Sequence, residues 1–212
     1  MRNNNEYVNR RGRDERVERN MQRHLDLIYR ENTVNTVRVT DISLQKKGVD
    51  LYYTEDGKRY YADEKSASTY AYKRLDTFAF ELECDVNKNS GGWFRQNNYY
   101  LTEYYFIAYP YAPNDNSLNT LEDLEVLIIS KKDMWEYLKT KGFNTAEDVL
   151  SAFEEKGKVV FKNGRETKRW TISKDLKVVQ SLYITPERPI NIIFSKELLR
   201  SLAKKVLYKK FS

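Results

Sequence analysis

Two short strand-like runs, Gly48–Thr54 and Lys58–Lys65, flank the dipeptide Asp56-Gly57. Asp-Gly between such runs is a strong signal for a two-residue β-hairpin, because the favoured turn needs positive φ at both central residues. The turn sets the register. Glu55 then faces Lys58, Tyr52 faces Tyr61, Asp50 faces Asp63, Val49 faces Glu64 and Gly48 faces Lys65. Side chains alternate along a strand, so Asp50 and Tyr52 are expected on the face that carries Tyr61, Asp63 and Lys65. Opposed residues hold their Cβ atoms about 4.5–5.5 Å apart, and like charges there are destabilising. Two carboxylates so placed need a cation or a proton between them.

Hard oxygen ligands suit Mg²⁺ or Mn²⁺, held by one or two carboxylates together with water and phosphate. Lys65, two residues beyond Asp63 on the same side, is placed to lower the pKa of an attacking water or to stabilise charge in a phosphorane-like transition state. The pattern therefore points to metal-assisted phosphodiester hydrolysis. The competing reading is a solvent-facing hairpin with ordinary surface charges, and a bulge in the turn would shift the pairing.

Asp50, separated by twelve residues from Asp63-Glu64-Lys65, resembles the PD-(D/E)XK nuclease superfamily with its restriction-endonuclease-like core. There a helix precedes a mixed sheet, the first acid lies on one strand of a hairpin, and the (D/E)xK triplet ends the next. Gln45-x-x-Gly48-Val49-Asp50 resembles the Q..G(I/V)D form of some subfamilies, with Val49 where proline is common. The resemblance covers roughly Arg13–Tyr109. It implies that Asp50, Asp63 and the carbonyl of Glu64 bind the divalent ion and that Lys65 positions the water. It further implies accessory roles for Glu18 on the leading helix, for Gln45, and for Glu81 on a following strand. The other reading of Glu81 is a polar position alternating with Phe78, Phe80 and Leu82.

The remaining chain reads as mixed strands and helices. Arg13–Tyr29 repeats Val17, Met21, Leu25 and Ile28 at helical spacing. Val34–Leu44, Thr77–Cys84, Tyr99–Tyr109 (stopped by Pro110 and Pro113) and Leu124–Ile129 read as strands. Helices are expected from Ser130 to about Lys141 and from Asn144 to about Lys156, each closed by glycine. A second hairpin is expected around Asn163-Gly164. A strand at Ile190–Phe194 and a helix capped by Ser195 and running to about Lys210 complete the reading. The expected fold is one mixed α/β (α+β) domain over 13–212, with a restriction-endonuclease-like core at about 13–130, a C-terminal extension over 131–212, and a flexible arm at 1–12.

One cysteine, Cys84, excludes a disulfide framework and a Cys-rich zinc site, and one histidine, His24, excludes a multi-His metal site. Cys84 reads as a small hydrophobe and His24 as a packed or surface residue. No GxxxxGK[ST] or GxGxxG phosphate cradle occurs. The formal charge of +6 biases the chain towards polyanions. Arg16, Arg19 and Arg23 on the first helix, with Lys46 and Lys47, are the candidate contacts to nucleic acid, DNA before RNA. The basic hairpin tip Lys162–Lys168 is a further candidate, and the tyrosine-rich strand and Trp93 are candidates for base stacking or for plain packing. The absence of a leader or a long apolar run gives the expectation of a cytoplasmic protein without membrane contact. A homodimer fits a double-strand cutter. The expected function is a Mg²⁺- or Mn²⁺-dependent nuclease. The alternatives are a non-catalytic nucleic-acid-binding or interaction protein on the same fold, and a toxin or resistance factor acting through protein contacts.

Overall fold

The computed structural model describes residues 4–85, 90–95, 97, 99–183 and 188–211. Helix α1 (Asn4–Glu31) starts before the expected Arg13. Arginine and glutamate propagate a helix well once the apolar stripe has seeded it. Strand β1 (Asn35–Arg38) is shorter than expected and is followed by a short helix, α2 (Ile42–Gln45). The cause is Asp41, whose side chain accepts from the Ser43 N–H at 2.7 Å and caps α2. Such local bonds compete with a strand ladder.

Strands β2 (Leu51–Glu55) and β3 (Lys58–Ser66) form the expected hairpin, with Asp56 and Gly57 at φ +50° and +75°. A 3-10 turn at Ser68–Tyr70 follows. Next come β4 (Thr77–Asp85), β5 (Ser90–Gly91), β6 (Tyr104–Tyr111) and β7 (Asp123–Ser130). Pro110 lies inside β6 instead of ending it. The pairing of β3 with β6 stops at Ala108, so beyond that point proline's missing N–H costs no ladder bond on that side.

Helix α3 (Lys131–Thr140) is capped by Ser130 as expected, and α4 (Ala146–Lys156) by Thr145, one residue later than expected. Strands β8 (Lys158–Lys162) and β9 (Arg165–Ser173) form the second hairpin. Then follow β10 (Leu176–Ser181), which the sequence reading missed, and β11 (Ile190–Ser195). Helix α5 (Lys196–Leu202) stops well short of Lys210, and Ala203–Lys210 is a strand, β12.

The fold is mixed α+β. One sheet has the order β1-β2-β3-β6-β7-β12, with β3 and β6 parallel and the other pairs antiparallel. The other sheet, β5-β4-β11-β10-β9-β8, is antiparallel throughout. Met21, Leu25, Ile28 and Tyr29 of α1 pack on one face of the first sheet with Tyr53, Phe106 and Ile128. The opposite face buries Tyr105, Ile107 and Leu127 against Phe80, Ile192 and Phe194 of the second sheet and against Trp135 and Phe153 of α3 and α4. Among the described residues no helix is long and apolar enough to cross a membrane.

Candidate metal centre on the first hairpin

The hairpin keeps its expected register from Glu55↔Lys58 to Leu51↔Ala62 and then departs from it. The Asp50 N–H donates to Ala62 O at 2.9 Å, and the Val39 N–H donates to Asp50 O at 2.9 Å. Asp50 therefore does not oppose Asp63 in the ladder, nor does Val49 oppose Glu64 or Gly48 oppose Lys65. Instead the Glu64 N–H donates to Oδ2 of Asp50 at 3.0 Å. The Asp50 carboxylate takes the place that a β2 carbonyl would occupy. This still brings the acids together, because the Asp50 carboxyl stands close enough to hydrogen-bond that of Asp63.

Asp63 is fully buried beneath Tyr105, its partner on β6. Its Oδ1 accepts from the Lys65 ammonium, and its Oδ2 is buried with no donor among the described residues. Burial, the largest effect, pushes the Asp63 carboxyl up to about 7, opposed by Lys65 and reinforced by Asp50. Burial also disfavours the charge on Lys65, but the adjacent Asp63 outweighs it and raises the Lys65 pKa, so the ammonium persists. The Lys65 Nζ lies 5.2 Å from the centroid of the Trp93 ring. A buried carboxylate oxygen without a donor, beside a second carboxylate, favours a proton or a cation between the two.

Glu64 points to the other face. Its carboxylate accepts from Tyr29 OH at 2.8 Å and from Arg38 Nη1 at 3.3 Å. Burial raises its pKa, against the pull of Arg38 and Tyr29. In a strand, one residue's N–H and C=O point to the same side. The Glu64 carbonyl is thus turned towards Asp50, past the end of the β2 ladder.

A cleft of about 800 Å³ opens on the Glu64 side of the hairpin, lined by Glu18, Arg38, Gln45, Asp50, Glu64 and Ser66 among others, and neither Asp63 nor Lys65 is part of its lining. Glu18 and Gln45 are thereby brought to the hairpin, Gln45 being fixed by a 2.9 Å bond from its Nε2 to Val39 O. Gly48 adopts φ +76°, and a Cβ there would run into the Tyr99 ring. The Thr102 hydroxyl donates to Gly48 O at 2.7 Å, which fixes the approach to Asp50. Glu81 is placed on β4 in the second sheet, opposite Asn191, and is not among the groups that act most on Asp63 or Lys65. Arg16, Arg19, Arg23, Lys46 and Lys47 are exposed. His24 packs edge-on to Phe211 at 5.1 Å, with Nε2 3.1 Å from Leu118 O.

Three residues near the site were not anticipated: Tyr29, Arg38 and Lys131. The buried Lys131 opens α3 and donates to Arg95 O at 3.1 Å and Tyr99 O at 3.2 Å. Burial pushes its pKa down to about 8, with the charge of Asp63 opposing.

Among the described residues no three His, Cys, Asp or Glu side chains converge as a metal cluster. The donors on offer are two carboxylates and a strand carbonyl, which fit an ion that keeps most of its water. No family model, curated protein or solved structure matches the chain.

Proposed function

We propose that the chain is a divalent-metal-dependent nuclease that hydrolyses phosphodiester bonds, in DNA before RNA. The observation that carries this reading is Asp63: buried, one oxygen on Lys65, the other without a donor among the described residues, and a second carboxylate alongside. Asp50, Asp63 and the Glu64 carbonyl would hold Mg²⁺ or Mn²⁺. When bound, the ion supplies Lewis-acid stabilisation of charge on a phosphoryl oxygen.

The protein groups have separate tasks. Lys65, held by Asp63 and placed near Trp93, keeps a positive charge at the edge of the acid pair, where it orients a water and offsets developing negative charge. Tyr29 and Arg38 draw the Glu64 side chain to the far face, so that its main chain and not its carboxylate meets Asp50. The cleft lined by Glu18, Gln45 and Asp50 gives a phosphodiester room to approach the Asp50 side of the centre.

The test is incubation with plasmid, single-stranded and branched DNA in Mn²⁺ or EDTA, repeated with Asp63→Ala and Lys65→Ala. Metal-dependent cutting that disappears in both variants is expected. Binding without cutting in every metal would instead leave a non-catalytic nucleic-acid-binding protein.

A further inference from the structure

The outward face of the second sheet bears a charge pattern that the hairpin site does not use. On β9, Trp170 packs edge-on to Phe143 at 5.7 Å, and Lys168 reaches Glu154 of α4 at 2.7 Å. These side chains point inward, so Arg165, Thr167, Arg169 and Thr171 point outward. The register extends this face to its neighbours: Lys158 of β8 lies opposite Arg169, and Lys177 of β10 opposite Thr171.

Lys158, Arg165, Arg169 and Lys177 are all exposed. The outward positions of β8, β9 and β10 hold no acid, and no carboxylate is ion-paired with these four cations among the described residues. Some arginines elsewhere are matched: Arg74 with Asp123, Arg95 with Glu83 and Glu147, and Arg200 of α5 with Glu125.

The face is also shaped. An open groove of about 450 Å³ is lined by Asn163, Arg165, Thr167, Arg169 and Tyr183. The Arg165 guanidinium sits 5.2 Å from the centroid of the Tyr183 ring, and Arg169 Nε donates to the Thr167 hydroxyl at 2.9 Å. That bond aims the guanidinium and leaves both Nη groups out of it. Cations four residues apart on a strand are separated by about 13 Å, and those on paired strands by about 5 Å. An unbalanced lattice of this kind matches a polyanion with closely and regularly spaced charges, and a nucleic-acid backbone has that spacing.

We propose that the outer face of β8, β9 and β10 is a second, sequence-independent contact for the sugar–phosphate backbone of nucleic acid. The choice of nucleic acid among polyanions rests on the nuclease reading, whereas the charge pattern does not. The test is binding of the full chain to a short fluorescein-labelled duplex and to its single strand in EDTA, where nothing is cut. The double variants Arg165→Ala/Arg169→Ala and Lys158→Ala/Lys177→Ala are each expected to weaken binding about tenfold and to reduce the slope of log K against log salt by roughly two. Unchanged affinity and slope in both variants overturns the proposal. So does equal binding of a polyglutamate peptide, which would give the face to acidic proteins. Cutting in Mn²⁺ is measured in parallel. Cutting with unaltered variant binding sinks the basic face alone, and weakened variant binding without cutting by the wild type sinks the nuclease reading alone.

Discussion

The main-chain N–H of Glu64 donates to Oδ2 of Asp50 at 3.0 Å. One side chain thus replaces a rung of the β2–β3 ladder, and the first acid is held against the second strand even though the register has broken. Asp50→Asn preserves an oxygen acceptor for that rung and removes a negative charge beside Asp63. In EDTA the variant should melt higher than the wild type, by roughly 2–4 °C for each kcal/mol of repulsion relieved. Mn²⁺ should raise the melting temperature of the wild type and leave the variant unmoved. A variant that melts several degrees lower without metal would mean that the two acids do not repel.

Asp63 keeps its proton in the folded chain up to about pH 7. An unfolded aspartate releases it near pH 3.9, at about the ordinary value. Between those limits the folded state binds more protons. The stabilisation is full below the unfolded value and is lost as pH rises through the folded one. Metal-free protein should therefore lose stability between about pH 5 and 7, by at most about 1.4 kcal/mol per unit. Urea midpoints in EDTA check this, and Asp63→Asn should flatten the profile. A wild-type curve that climbs over this interval would contradict the burial of Asp63.

Tyr29 is buried at 1% exposure and its hydroxyl meets Glu64 at 2.8 Å. Tyr29→Phe leaves that carboxylate with a weaker set of donors and should cost about 1–3 kcal/mol in chemical denaturation. Cutting should fall too, since the β3 main chain carrying the site is no longer anchored from the far face. A loss of stability below a few tenths of a kcal/mol would show that Arg38 alone suffices.

Gly48 combines a positive φ with the close approach of Tyr99. Gly48→Ala should destabilise the chain by more than about 1 kcal/mol, because the backbone conformation and the ring both oppose a Cβ. The substitution should also disturb Thr102 and, through it, the entry to Asp50. Equal urea midpoints for the variant and the wild type would refute the packing described.

The hairpin was legible because its signal is local. Asp56-Gly57 dictates the turn, and the turn dictates the register as far as Leu51↔Ala62. Asp50, Asp63 and Lys65 lie just beyond that reach, so the turn placed the acids near one another but not their pairing. Tyr29, Arg38 and Lys131 were not legible, because they come from α1, β1 and α3 and are ordinary residue types for those elements. Only packing assigns them to Glu64 and to the loop that carries Tyr99. The segment Ala203–Lys210 misled for a different reason. Val206, Leu207 and Tyr208 among lysines satisfy a helical or an extended period over so short a span, and the unfilled edge of β7 decides the matter. Asp41 ended β1 early by capping α2, a local competition that β-branched composition alone conceals.

Strand β4 leaves the chain between β3 and β6, yet pairs with β11, while β7 pairs with β12. The residues before and after position 130 are stitched through each other. A shortened version ending at Ser130 would keep every acid of the proposed centre and still present two bare strand edges, with Phe80, Leu82 and Leu127 stripped of cover. Such edges recruit other chains. Anyone trimming this protein to a minimal catalytic unit should expect insoluble material, because the second half is the other side of the same seam.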